Sequence, residues 1–305
     1  MSHGPGGNTS IKIGQSIYVK SSGTWFKDSL KKNSFIKIDL NSIKKNIKNE
    51  KKWKFNNSKN SPSIETIMHA IIKKKYVVHL HSISVLSYAV LKEGKKVLEN
   101  KLKNDKWVWI NYKKPGLNLA LEIKKKESDN ANIYILQNHG IIIASDTLFE
   151  INLLLKKIEK KLKRKGPYNL KKIKKNNFSI KNYKKPKDNI INMLACNKSN
   201  YEIMKKNKSL YPDHIVFLNK KILAFDNLVK KDLNKENNNK IIVVRNIGVF
   251  IKNNITKTEY DMLLCLAELL NILPNNSTLS FLNKKEERQL LYWDKEKIRQ
   301  KFNKV

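Results

Sequence analysis

The stretch SIETIMHAIIKKKYVVHLH, residues 63–81, sets two histidines one residue apart behind an apolar run, a short distance after a single glutamate. The whole chain holds only six histidines. YVVHLH reads as a short strand, and at a strand period of two His79 and His81 project from the same face. Two imidazoles on one strand need one more ligand to complete a three-histidine metal shell. Upstream, Ser61-Pro62-Ser63 reads as a helix start, with Ser63 as N-cap. Glu65 then falls in the first turn, where the helix dipole favours a carboxylate, and Ile67, Met68, Ile71 and Ile72 face inward.

Working outward, HGPGGNTSIKIGQSIYVKSSG (3–23) reads as two strands, IKI and SIYVK, joined at Gly14-Gln15 and bracketed by small-residue clusters at Gly6 to Ser10 and Ser21 to Gly23. Residues 41–60 read as a surface helix and loop, SISVLSYAVL as a helix and WVWINY as a strand. IYILQ runs as a strand into Asn138-His139-Gly140, III continues as a strand, and Thr147 with Glu150 forms a capping box for the helix that follows. His139 at this bend is the candidate third ligand. A lone histidine is usually a hydrogen-bonded or solvent-facing residue. His3, His69 and His214 are read that way. A neutral three-histidine shell leaves a zinc ion one open position, the arrangement of catalytic rather than structural zinc. Such a cation polarises a carbonyl and stabilises the enediolate formed when the neighbouring carbon loses its proton. Glu65 is the candidate base. As a plain helix-start carboxylate it contributes a few tenths to about 1 kcal/mol.

Composition bounds the context. A length of 305 residues suits two lobes, and 40% hydrophobic content with five Trp, eleven Tyr and ten Phe is enough to fold. The net charge of +37 invites a nucleic-acid reading, yet only Arg164, Arg245, Arg288 and Arg299 are arginines. Arginine is the residue that reads phosphate and guanine bidentately. The lysine excess travels with Asn and Ile in runs such as 156–165 and 169–177, the signature of AT-rich codons, and implies at most weak, sequence-independent attraction to polyanions. Cys196 and Cys265 make neither a ligand pair nor a disulfide framework. With neither a signal-peptide pattern nor an apolar run of about 18 residues, the expected location is the cytoplasm.

Taken together, GGNTSIK, IYVKSSG, SPSIET, VVHLHS and LQNHGIII occur in the order and spacing of the class II aldolase/adducin family, which this chain resembles over roughly residues 4–160. SPSIET and VVHLHS look most like the aldolase half of bifunctional rhamnulose-phosphate aldolase/alcohol dehydrogenases, although the Gly-x-Gly-x-x-Gly fingerprint of a dehydrogenase is missing. The resemblance implies an α/β fold, an α/β/α sandwich around a central, mostly antiparallel sheet, and a homo-oligomer, commonly a tetramer. It implies Zn²⁺ or another divalent metal on His79, His81 and His139, and Glu65 as catalytic acid/base. Asn8, Ser10, Ser22, Gly23 and Ser63 match the loops that hold a substrate phosphate. The expected activity is that of an aldolase, a carbon–carbon lyase acting on a sugar phosphate or related ketose. An epimerase or dehydratase on the same scaffold, or a non-catalytic adducin-like module, are the alternatives. Ile64 stands where fuculose-type aldolases carry a second phosphate-site serine, and the chain reaches its Gly-Gly-Asn loop without the helices that usually precede it.

A last expectation comes from an internal comparison. IYILQNHGIIIASDTLFEINLLLKKIEK (133–160) and IIVVRNIGVFIKNNITKTEYDMLLCLAE (241–268) share a strand, an Asn-x-Gly bend, a second strand and a helix opened by Thr and a Glu three residues on. Ile247 takes the place of His139. The expected division is a metal-binding catalytic domain over 1–185 and a smaller C-terminal α/β lobe over 190–305, a degenerate repeat without a metal site.

Overall fold

In the computed structural model, the described residues are 3–30, 34–47, 61–126, 131–166, 178–218, 222–227 and 239–302. The runs at 48–60 and 169–177, read above as loop and lysine-rich surface, lie outside them. In chain order the first part contains β1 (Asn8–Ile13), β2 (Ser16–Lys20), β3 (Phe35–Asp39), α1 (Leu40–Asn46), α2 (Thr66–Ile71), β4 (Tyr76–Leu80) and α3 (Ile83–Ala89). It continues with α4 (Gly94–Lys101), β5 (Trp107–Ile110), α5 (Leu117–Lys126), β6 (Ile133–Leu136), β7 (Gly140–Ser145) and α6 (Leu148–Leu162).

These strands form one seven-stranded sheet, β3-β2-β1-β4-β7-β6-β5, in which only the β5–β6 pair is parallel. The uninterrupted apolar runs in β6 and β7 have a physical reason, since both faces of the sheet are covered. Ile133, Ile135, Ile141 and Ile143 pack with α3, α4 and α6, whereas Tyr134, Leu136, Ile142 and Ala144 pack with α2 and α5. This is the sandwich with a mostly antiparallel sheet anticipated above.

The second part contains β8 (Tyr183–Lys184), α7 (Asn189–Cys196), α8 (Lys198–Lys205), a π-helical turn at His214–Leu218, β9 (Ile222–Phe225), β10 (Ile241–Val244), β11 (Gly248–Lys252), α9 (Lys257–Ile272), α10 (Lys284–Leu291) and α11 (Asp294–Phe302). Its sheet, β8-β11-β10-β9, has the strand order and directions of β4-β7-β6-β5, again with only the last pair parallel. The bends correspond in detail. Asn138 and Asn246 both sit at positive φ, +53° and +60°, a conformation asparagine tolerates. The N–H of Asn138 donates to Ala89 O and that of Asn246 to Ala195 O, both at 3.0 Å. One apolar cluster runs from Leu86 and Val90 into Leu194, Val249, Leu263 and Leu266, so the two sheets share a core.

Three local readings change. Glu65 occupies the N-cap position of α2 instead of its first turn, and Ser63 Oγ accepts the Glu65 N–H at 3.2 Å. Its carboxylate is therefore released from the helix. Strand β4 ends at Leu80, one residue before His81. Thr147 caps α6, but the Glu150 carboxylate turns to Ser145 and Asn132, whereas the Thr256–Glu259 box on α9 is complete. Among the described residues, no helix is long and apolar enough to cross a membrane.

Candidate metal centre and its pocket

Strand β4 lies between β1 and β7, which places His79 opposite Asn8 on one side and Ile142 on the other. The Asn138 bend turns His139 toward the same point. The three rings meet with centroids 4.9–5.1 Å apart. One nitrogen from each of His79, His81 and His139 lies within 4.8 Å of the others, and all three residues are buried. His79 donates from Nδ1 to Ile141 O at 3.0 Å, which leaves Nε2 as its free donor atom. His79 Nε2 and His81 Nε2 are 3.1 Å apart, close to the roughly 3.3 Å between two nitrogen ligands of one tetrahedral zinc. The approach of β7 to the end of β4 requires glycine at position 140, where a Cβ would stand 2.3 Å from Leu80 O.

Glu65 completes the cluster. Its Oε2 lies 3.5 Å from His79 Nε2 and its Oε1 3.5 Å from His139 Nε2. Oε2 accepts from Asn8 Nδ2 at 2.8 Å, while Oε1 is buried without a hydrogen-bond partner. Burial pushes the Glu65 pKa up, whereas positive charge in the cluster of His79, His139 and His81, together with the Asn8 bond, pulls it down. Burial outweighs that carboxylate at His139 and lowers its pKa to about 3, which keeps the ring neutral. Three converging neutral imidazoles beside a carboxylate with an orphaned oxygen fit a divalent cation.

The remaining sequence-derived residues separate by position. Asn8, Ser22, Gly23 and Ser63 line the cleft that opens beside the histidines. Ser10 stands outside this lining, its Oγ bonded to His69 Nδ1 at 2.8 Å. His69 is fully buried and not solvent-facing, and its Nε2 bonds Asn8 Oδ1. Burial drives its pKa to about 3, so its neutral ring holds Asn8, and Asn8 in turn bridges Ser63 Oγ at 3.0 Å and Glu65.

Sequence reading missed four charged groups in this cleft: Lys20, Asp213, Glu296 and Arg299. Lys20 is 2% exposed, donates to Thr24 O and lies 5.3 Å from the Phe26 ring centroid. Burial, with Arg299 nearby, lowers its pKa to about 7 against the pull of Glu65 and Asp213. One lysine among dozens carries no local mark of burial.

The family model for the class II aldolase and adducin N-terminal domain matches residues 1–163, more than half of the chain. An L-fuculose phosphate aldolase of Methanocaldococcus jannaschii is 26% identical over 168 residues, covering 52% of this chain and 83% of that protein. An uncharacterized oxidoreductase, YuxG, of Bacillus subtilis is 26% identical over 164 residues, 47% of this chain, which spans only 24% of that relative's length. Among solved structures, the N-terminal class II aldolase domain of a conserved protein from Thermoplasma acidophilum aligns at 25% identity with a TM-score of 0.46, over 52% of this chain and 82% of that one. On the match over residues 1–163, the chain belongs to the class II aldolase and adducin N-terminal domain family.

Proposed function

We propose that the protein is a metal-dependent aldolase acting on a phosphorylated ketose, with His79, His81 and His139 as ligands and Glu65 as the base. The observation that carries this reading is the convergence of three buried imidazoles with the orphaned Oε1 of Glu65 on one edge of the cleft. A divalent cation bound there supplies Lewis-acid polarisation of the substrate carbonyl. Glu65, steered by Asn8, removes the proton from the carbon beside that carbonyl in the condensation direction and returns it to the same carbon after cleavage. Asn8 thus acts on Glu65 in this scheme, and the small-residue edge of Ser22, Gly23 and Ser63 with the Lys20 ammonium receives the substrate's anionic end.

The C-terminal sheet supports a companion proposal. The second sheet takes in Tyr183–Lys184, before the expected boundary at 185–190, and with the helices that follow it forms a second lobe, a degenerate copy of the unit that carries the ligands, with Ile247 in the position of His139 and packed into a small apolar cluster.

Metal analysis followed by a screen of phosphorylated ketoses tests the activity. About one divalent metal per chain is expected, His139→Ala should lose most of it, and Glu65→Gln should keep it while turnover falls roughly 10²–10⁴-fold. A purified chain that takes up no metal, or turnover that survives Glu65→Gln, refutes the reading.

A further inference from the structure

We infer that Asp213, supplied by the C-terminal part of the chain, is the positioning carboxylate of the metal centre and that metal affinity depends on it. The inference rests on the three-histidine reading above, and it concerns a residue beyond the family match at 1–163. Asp213 Oδ2 lies 2.9 Å from His81 Nδ1. Its other oxygen, Oδ1, lies 2.8 Å from Arg299 Nη2 on α11, and Arg299 Nη1 lies 3.3 Å from Glu296 Oε2. Asp213 and Glu296 are each 1% exposed and Arg299 8%. A buried series Glu296–Arg299–Asp213–His81 therefore runs from the last described helix to the ligand set.

The chemistry follows from the direction of the His81 contact. Neither Asp213 oxygen completes a hydrogen bond, so Asp213 acts on His81 through its charge, and a carboxylate 2.9 Å from Nδ1 favours the tautomer that carries its proton there and turns the Nε2 lone pair to the other two rings. A carboxylate behind a metal-binding imidazole fixes its tautomer and raises its basicity. The other two ligands lack such support. His79 leans on the neutral Ile141 carbonyl, and His139 Nδ1 is buried without a hydrogen-bond partner. The N-terminal loop is shaped to the contact, because a Cβ on Gly6 would stand 2.8 Å from His81 Nδ1 and 2.9 Å from Asp213 Oδ2. The C-terminal part also steadies the His139 bend, since Asn138 Nδ2 donates to Leu210 O at 2.8 Å and to Ser280 O at 2.7 Å.

The test uses the full chain, with Zn²⁺ affinity measured by competition against a chromophoric chelator. Asp213→Asn keeps the size and an acceptor oxygen but loses the charge, and should bind Zn²⁺ about 10–100-fold more weakly than the wild type. Asp226→Asn removes an exposed carboxylate paired with Lys205 and Arg245 and serves as the control, with affinity unchanged. A folded Asp213→Asn protein, by circular dichroism, that binds within twofold of wild type overturns the inference and leaves the proposed function standing. A wild-type chain that binds no metal overturns both. Nitrogen-15 spectra of the wild-type histidines need no variant at Asp213. In the Zn²⁺-loaded chain they should show His81, assigned through His81→Gln, bound through Nε2 with its proton on Nδ1. Coordination through Nδ1 overturns the inference even if Asp213→Asn fails to fold.

Discussion

Replacing Gly140 by alanine tests whether the metal centre depends on the close approach of β7 to the end of β4. The added Cβ would lie 2.3 Å from Leu80 O, 3.2 Å from Leu80 C and 3.3 Å from His81 Cα. Carbon–oxygen contacts begin near 3.3 Å, so the backbone at Leu80 and His81 must yield by roughly 1 Å. Metal ligands tolerate about 0.2 Å. Gly248, the corresponding glycine of the second sheet, provides the comparison, because there a Cβ would meet only the Asn192 side chain, with Oδ1 at 3.0 Å. Both glycines have positive φ, +159° and +147°, so alanine carries a similar backbone cost at each, about 1–3 kcal/mol. Gly140→Ala adds an overpacking cost of about 1–3 kcal/mol. Urea unfolding of the metal-free proteins should therefore rank wild type above Gly248→Ala and Gly248→Ala above Gly140→Ala. Zn²⁺ affinity, measured by chelator competition, should fall at least about tenfold in Gly140→Ala alone. Equal stability of the two variants, together with wild-type metal affinity in Gly140→Ala, would refute this account of the close approach.

Lys20→Met should weaken binding of sulfate, an anion that does not titrate near neutrality, by roughly 10–100-fold, the range of a charge-assisted hydrogen bond. In the wild type that binding should decline as pH rises through about 7, where the Lys20 ammonium loses its proton, and calorimetric titration at several pH values should show no such decline in the variant. Burial lowers His214 to about 4, so its folded pKa lies below the unfolded value near 6.5. Its contribution is fully present above about 6.5 and is lost as pH falls toward 4, up to roughly 3 kcal/mol, a slope that urea titrations should find reduced in His214→Gln. Gel-shift assays with DNA of unrelated sequences should show only non-specific binding that collapses with added salt, and a sequence preference that survives high salt would contradict the reading of the lysine excess.

Short-range features of this protein were legible from its residues. The alternation in YVVHLH placed His79 and His81 on one face, Asn-x-Gly marked the bends at 138–140 and 246–248, and Thr-x-x-Glu marked the starts of α6 and α9. Period, turn chemistry and capping act over a few residues, so they leave a local pattern. The shared motifs likewise announced the family, because their order is itself a property of the sequence.

What surrounds the ligands was decided only in the folded chain. Glu65 looked like an ordinary helix-start residue until β1 brought Asn8 against its carboxylate. Lys20 resembled every other lysine until the sheet buried it, and whether His69 packed inside or faced solvent was settled only when Asn8 and Ser10 closed around it. Asp213 and Arg299 reach His81 from distant points of the chain, across a core shared by two sheets. The physical reason is one of range. A side chain's ionisation and orientation depend on desolvation and on charges within a few ångströms, and which charges those are is set by tertiary packing.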